Sequence, residues 1–151
     1  MRTLAIDLGT RRVGLALSDE GGRFATPLDV LQVASPAHAR EQILKVIGRE
    51  GPERLVVGVP INMDGTVGPA VRGAVAFGRE LEAACGKPVL YVDERLSSFE
   101  AEQTLAGRRK AGENLTRQRK KERLDAVAAA SFLQGFLDGK LPAIEPAQLG
   151  V

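Results

Sequence analysis

The chain opens with TLAIDLGTRRVGLALS at residues 3–18, where two short apolar runs lie on either side of a glycine turn. Short apolar runs bounded by turn residues predict β-strands, here Thr3–Asp7 and Val13–Ser18. A turn cluster follows, and Phe24 to Val33 can supply a third strand, with Pro27 indicating an edge position. Three successive strands with short connections predict an antiparallel meander.

Downstream of the meander, helical and extended patterns alternate. Helix starts are marked by Ser35 before Pro36 and by Pro69, and helix ends by Gly51 and Gly86. The predicted elements are a helix from Pro36 to about Arg49, a strand Arg54–Val59, a helix from Pro69 to about Cys85, a strand Val89–Asp93, a helix from the Ser97/Glu100 capping box to about Ala106, and a helix from about Gln118 to Leu137.

This order predicts an α/β fold with a mixed five-stranded sheet and helices on both faces. Right-handed crossovers leave few topologies, and the ribonuclease H-like arrangement is one of them. The 151 residues suit one domain, which we expect to span residues 1–138. Pro142 and Pro146 favour a loosely ordered tail at residues 139–151.

Composition excludes several kinds of site. Cys85 and His38 are the single cysteine and the single histidine, which excludes a disulfide and a zinc site of several Cys or His ligands. No apolar run approaches the roughly 20 residues that cross a bilayer, and Asp7 interrupts the apolar N-terminal run. We therefore expect a cytoplasmic protein with no membrane partner.

Two carboxylates stand at the ends of predicted strands. Asp7 ends the first strand, and Gly9 allows the chain to turn sharply beside it. Glu94 closes the fifth strand, and because side chains alternate it shares a mainly apolar face with Val92. Asp93 points to the other face and is a nearby possibility for the same role.

A third carboxylate, Asp125, lies on a helix that is otherwise almost entirely apolar. Positions three, four and seven residues further on are Ala128, Ala129 and Phe132, so the acid shares a packing face. Burying an unpaired carboxylate lowers the stability of the folded state by roughly several kcal/mol, and a nearby cation relieves that cost. The cation can be a metal ion or a nearby arginine, and the sequence leaves both open.

Oxygen ligands without histidine suit the hard cations Mg²⁺ or Mn²⁺. Two such ions about 4 Å apart can activate a water and stabilise the departing oxygen of a phosphodiester. Asp7, Glu94 and Asp125 can converge on such a site if the two strands are neighbours. We therefore predict that these three residues are both the metal ligands and the catalytic residues.

Four segments together resemble the YqgF family, whose members are also described as RuvX-like Holliday junction resolvases with a ribonuclease H-like fold. They are AIDLGTRRVGLA at residues 5–16, GVPINMDG at 58–65, VDERLSS at 92–98 and KERLDAVAAA at 121–130. The resemblance implies a nuclease whose metal-binding acids are Asp7, Glu94 and Asp125. It also implies a role in maturing the 5′ end of precursor 16S ribosomal RNA. Ser97 and Ser98 replace two threonines of many family members and keep the hydroxyl groups.

Basic residues are concentrated between Gly107 and Arg123, where eight of them stand against two acids although the whole chain has a net charge of +2. Such a run is either a solvated surface or a phosphate-binding one. We expect nucleic acid to contact Arg11, Arg12, Arg95, Arg117, Arg119, Lys120 and Lys121. RNA is favoured over branched DNA, and a monomer or weak homodimer is expected.

Three alternatives remain open. The motif Asp7-Leu8-Gly9-Thr10 also opens the sugar kinase, actin and Hsp70 superfamily, which needs two such domains around a nucleotide. A non-catalytic nucleic-acid-binding module could use the same basic segment. A resolvase could use the same acids on branched DNA, in which case a two-fold symmetric junction favours a dimer.

Overall fold

A computed structural model describes residues 1–95 and 117–151, the side chains of residues 117–124 excepted. Its elements are β1 (Thr3–Leu8), β2 (Arg12–Ser18), β3 (Ala25–Gln32), α1 (Pro36–Glu50), β4 (Arg54–Val59), α2 (Pro69–Cys85), β5 (Val89–Asp93), α3 (Arg117–Leu137) and a 3₁₀ helix (Pro146–Leu149). The bounds of the five strands and of α1, α2 and α3 agree with the predicted elements to within one or two residues. The helix predicted from Ser97 to Ala106 lies outside the described residues.

The five strands form one mixed sheet in the order β3-β2-β1-β4-β5. The pairs β1–β2 and β2–β3 are antiparallel, whereas β1–β4 and β4–β5 are parallel. The predicted meander followed by crossovers is therefore confirmed. Pro27 lies in the edge strand β3, near a shift of register between Leu15 and Ala16 of β2.

The helix ends follow the capping residues. The Ser35 side chain accepts a hydrogen bond from the backbone N–H of His38, and Pro36 stands in the first turn of α1. Gly51 and Gly86 end α1 and α2 with φ of 62° and 71°, a left-handed conformation that glycine adopts without strain.

Two hydrophobic cores lie on opposite faces of the sheet, because successive side chains of a strand alternate. One face buries Leu4, Ile6 and Val57 against α1 and α2, including Ile43 and Leu81. The other face buries a second cluster against α3, which is composed of Ala5, Ala16, Val56, Val92, Ala129, Ala130, Phe132 and Leu133. The prediction of helices on both faces is confirmed. The small residues of the second cluster let α3 lie close to the sheet.

Residues after α3 pack on the domain, which differs from the loosely ordered tail that the prolines favoured. The backbone N–H of Ile144 donates to the Tyr91 carbonyl at 2.7 Å, so the tail satisfies a carbonyl of the edge strand β5. Leu149 and Val151 pack against the first core. Contacts of this kind have no periodic signature in the sequence. Among the described helices, none is both long and apolar enough to span a membrane.

Candidate active site

All three predicted acids lie on the sheet face that α3 covers. Asp7 shares a face of β1 with Ala5, and Glu94 directly follows β5 on the side of Val92. Asp125 belongs to α3 itself. The alternation predicted for Val92, Asp93 and Glu94 is thus the one observed.

Asp7 and Glu94 meet although their strands are not neighbours. Strand β4 lies between β1 and β5, and Gly58 of β4 faces α3 at this point. A Cβ on Gly58 would come within 2.5 Å of Glu94 Oε2 and 2.9 Å of the Phe132 ring. The missing side chain therefore opens the space through which the Glu94 carboxylate reaches Asp7. The two carboxyl groups are close enough to share a hydrogen bond when one of them is protonated.

This crowding changes the acidity of both groups. Burial, the charge of Glu94, a hydrogen bond with Glu94 and the charge of Asp125 together raise the pKa of Asp7 well above its usual value. Burial also raises the pKa of Glu94, with a smaller contribution from the charge of Asp93, although the hydrogen bond with Asp7 acts in the opposite direction. Two like charges in one buried place require a proton or a cation.

One oxygen of the pair has no hydrogen-bond partner. Glu94 Oε2 is fully buried, and no donor among the described residues reaches it. An ionised oxygen in that position is costly unless a positive group neutralises it. The unpaired Oε2 atom is the strongest indication that this site can bind a positively charged group.

Asp125 is held close to the sheet by a second glycine. A Cβ on Gly14 of β2 would overlap the Asp125 carbonyl, so only glycine permits this approach of α3. The Asp125 side chain forms a salt bridge with Arg12, Oδ2 lying 2.9 Å from Nε. Arg12 is thus a partner of Asp125, as one of the two alternatives left open by the sequence required.

The third acid is near the pair without joining it. Its charge acts on Asp7, but its carboxylate is engaged with Arg12. Over residues 1–95 and 125–151, no three histidine, cysteine, aspartate or glutamate side chains are gathered into a ready metal site. The oxygen-only donors and the partnerless Glu94 oxygen nevertheless fit a hard divalent cation at Asp7 and Glu94.

Asp93 and Arg95 form a brace on the other side of Glu94. The guanidinium of Arg95 binds the Asp93 carboxylate through Nε and Nη2, at 2.9 and 2.6 Å from Oδ2. Its Nη1 donates to the Asn62 carbonyl at 3.0 Å, which ties the β4–α2 loop to the end of β5. Within that loop, Asp64 accepts hydrogen bonds from the backbone and side chain of Thr66. Asp93 is thus paired with Arg95.

The predicted nucleic-acid ligands divide into three groups. Arg11 is exposed, whereas Arg12 and Arg95 are engaged with carboxylates. The side chains of Arg117, Arg119, Lys120 and Lys121 lie outside the described ones. Sequence reasoning missed Gly14 and Gly58, whose only signal was a glycine inside a strand pattern, which marks a close approach of other atoms.

Comparison with known proteins agrees with these observations. A family model described as "RuvX: Holliday junction resolvase" matches residues 1–139. A relative from Anaeromyxobacter sp. (strain K), named "Putative pre-16S rRNA nuclease", is 45% identical over 94% of this chain and all of its own length. Relatives of the same name from Rhizobium etli and Moorella thermoacetica are 41% and 39% identical, over 88% and 91% of this chain and 78% and 95% of theirs.

Solved structures extend the likeness in fold. RuvC of Thermus thermophilus superposes with a TM-score of 0.59 at 17% identity, covering 95% of this chain and all of that one. The fowlpox virus Holliday junction resolvase gives a TM-score of 0.54 at 11% identity, covering 92% and 99%. At these identities the likeness is one of fold, and it confirms the ribonuclease H-like class. The family match and the relatives carry the assignment further: the chain belongs to the RuvX family, the same family that its four sequence segments resemble.

Proposed function

We propose that this chain is a divalent-metal-dependent nuclease that hydrolyses phosphodiester bonds in RNA, at the 5′ end of precursor 16S ribosomal RNA. The observation that carries the proposal is the buried, partnerless Oε2 of Glu94 beside the carboxyl group of Asp7. The substrate is supported by relatives that bear the pre-16S rRNA nuclease name along nearly the whole chain. Ribosomal RNA precursors are a cytoplasmic substrate, in keeping with the predicted compartment.

Asp7 and Glu94 would hold Mg²⁺ or Mn²⁺, with Asp125 as the third ligand. Bound there, a pair of such ions would supply an activated water and a stabilising charge for the departing oxygen. Asp7 stands between the other two acids in electrostatic terms, since both raise its pKa. A cation bound there would relieve the repulsion that Asp7 experiences from both of them.

The chain itself contributes shape and charge to the reaction. Phe132 and the small residues of α3 close the inner side of the site and exclude water from that side. A proton shared between Asp7 and Glu94 has to leave before the carboxylates of both residues can bind a cation. The exposed Arg11, next to Arg12 in the chain, would supply positive charge for a phosphate backbone.

A resolvase acting on branched DNA is the second candidate, because the family model is described by that activity. A four-way junction has two-fold symmetry and calls for two sites in fixed register, hence a dimer. A single site acting on a flexible RNA end works as a monomer or weak homodimer.

Cleavage of precursor 16S RNA and of a four-way junction should be measured in parallel, with Mg²⁺, with Mn²⁺ and with EDTA. We expect metal-dependent cutting of the RNA 5′ end at a rate proportional to protein concentration. Paired symmetrical cuts in the junction, with the RNA intact, would replace this proposal by the resolvase. Binding of both substrates without any cutting would instead indicate a non-catalytic module.

A further inference from the structure

The salt bridge between Arg12 and Asp125 opposes the proposed chemistry. Asp125 is needed as a metal ligand, yet its Oδ2 accepts a hydrogen bond from Arg12 Nε at 2.9 Å. Both side chains are about one-third exposed, 32% for Arg12 and 29% for Asp125. The pair therefore lies at the opening of the site, where its partners can exchange.

The fold brings these two residues together independently of any ligand. Arg12 begins β2 and shares the face of Gly14, because residues two apart in a strand point the same way. Gly14 is where the backbone of Asp125 touches the sheet. The Arg12 carbonyl accepts a hydrogen bond from the Gly9 N–H at 2.9 Å, which fixes the turn that carries the arginine.

Charge is distributed unevenly among the three acids. Asp125 forms a salt bridge with the Arg12 guanidinium, whereas no basic side chain among the described residues is bonded to the Asp7–Glu94 pair. A guanidinium and a divalent ion at the same carboxylate repel each other, since like charges a few ångströms apart interact strongly at a partly buried site. The salt bridge with Arg12 and coordination of a divalent ion by Asp125 therefore compete with each other.

We propose that Arg12 is an exchangeable counter-ion: it holds Asp125 in the metal-free protein, yields Asp125 to the divalent cation, and then pairs with a backbone phosphate of the substrate. The inference rests on the proposed function, since it assigns a role to Arg12 at that same site. Arg12 is a positioning residue in the first state. Once the cation has taken Asp125, the Arg12 guanidinium lies at the opening, next in the chain to the exposed Arg11. There it can form a bidentate contact with a phosphate.

The first test measures Mn²⁺ binding by the intact protein without nucleic acid. Binding is monitored by calorimetry and by the decrease of the free-ion electron paramagnetic resonance signal. R12Q should bind Mn²⁺ on the order of tenfold more tightly than the wild type, because the competing charge is gone. R12K keeps the charge and should stay within about threefold of the wild type. R72Q removes the same charge from an exposed position of α2, which packs on the opposite face of the sheet, and should change the affinity by less than about twofold at 0.15 M salt.

The second test is binding of a single-stranded RNA in Ca²⁺ and in EDTA. R12Q should weaken binding several-fold in Ca²⁺, where the arginine is released, and should change it little in EDTA, where the arginine is held by Asp125. Equal weakening in both conditions would overturn the exchange and make Arg12 a permanent phosphate ligand.

The two proposals fail in different ways. Unchanged or weaker Mn²⁺ binding by R12Q, beside a wild type that binds Mn²⁺, would overturn the exchange and leave the proposed nuclease standing. Absence of Mn²⁺ binding by both proteins would overturn the metal-dependent function, and with it this inference.

Discussion

Glu94 occupies space that a side chain on Gly58 would fill: its Oε2 atom lies 2.5 Å from where a Cβ of residue 58 would stand. The same Cβ would lie 2.9 Å from the ring of Phe132 on α3. Strand β4 lies between the two strands that carry Asp7 and Glu94. Because Gly58 of β4 has no side chain, it does not block the contact between their carboxyl groups. The position of the proposed site depends on this glycine as much as on the acids.

Replacing Gly58 by alanine should abolish most of the cleavage activity and destabilise the protein by about 1–3 kcal/mol. The added methyl group must displace the Glu94 carboxylate, the Phe132 ring or both. Single-turnover cleavage of precursor RNA and urea unfolding measure the two effects.

Gly73→Ala is the matched control, because this exposed glycine of α2 has nothing within 4 Å of an added Cβ. It should leave cleavage unchanged and stabilise α2 by roughly 0.5–1 kcal/mol. Wild-type cleavage by G58A would show that Glu94 does not need the space above Gly58.

Asp7→Asn should stabilise the metal-free protein, and the gain should grow as the pH rises. The raised pKa of Asp7 means that the folded protein holds a proton which the unfolded chain releases at about pH 4. The stability contributed by Asp7 is therefore complete below its unfolded pKa and is lost as the pH rises through its folded pKa. Thermal unfolding in EDTA between pH 4 and pH 8 should reveal a difference on the order of 1 kcal/mol at the upper end.

Asp19→Asn provides a control of opposite sign. Hydrogen bonds from the backbone N–H groups of Phe24 and Arg23 lower the pKa of Asp19, so its stabilising effect is present above the unfolded pKa and fades as the pH falls. D19N should therefore be less stable than the wild type at pH 7 and indistinguishable from it at low pH. A D7N protein with the same pH dependence as D19N would contradict the assignment of buried charge to Asp7.

Arg95→Ala should free the β4–α2 loop and lower cleavage through Glu94. The guanidinium of Arg95 joins Asp93 to the Asn62 carbonyl, so its removal eliminates both ends of the brace. Hydrogen exchange at Asn62 and Gly65, whose amides are bonded within the loop, should become faster.

Comparing Asp93→Ala with Arg95→Ala distinguishes two roles of Arg95, which are bracing the loop and binding nucleic acid directly. It breaks the same contact but leaves the Arg95 charge in place. If the brace matters, D93A reproduces the R95A effects on exchange and cleavage. If Arg95 instead binds phosphate, R95A alone should weaken RNA binding.

Neutralising Arg117, Arg119, Lys120 and Lys121 together should weaken RNA binding and flatten its dependence on salt. For each phosphate of a single strand that the protein no longer neutralises, the slope of log K against log salt should become shallower by about 0.7. The measurement is binding of a single-stranded RNA between 50 and 300 mM salt, roughly the range in which this effect is large. An unchanged slope would mean that this run is solvated surface.

Most of the fold follows from local signals in the sequence. Pro36 and Pro69 mark helix starts, Gly51 and Gly86 mark helix ends, and the observed bounds differ little from those predicted. The tail could not be predicted in the same way. Ile144 is ordered by a hydrogen bond to Tyr91 in a distant strand, and such a contact has no local pattern.

The acids of the proposed site carry local signals as well, because Asp7 and Glu94 stand at strand ends and Asp125 interrupts an apolar helix face. Their mutual arrangement carries no such signal. The sequence required neighbouring strands for convergence, whereas Gly58 allows it across β4. The partner of Asp125 is Arg12, 113 residues away along the chain, a pairing that only the packing of α3 on β2 reveals.

The central claim is that Asp7, Glu94 and Asp125 form one metal-dependent catalytic site. Single-turnover cleavage of precursor 16S RNA in Mg²⁺ should be compared for the wild type, D7N, E94Q and D125N, with E80Q as control because Glu80 is 61% exposed and pairs with Arg40 on the opposite side of the sheet. Each of the three amides should lower the rate at least about a hundredfold, because an amide is a poor ligand for a hard cation, while thermal unfolding remains cooperative. E80Q should cleave like the wild type. Wild-type rates from D7N, E94Q and D125N would contradict the account.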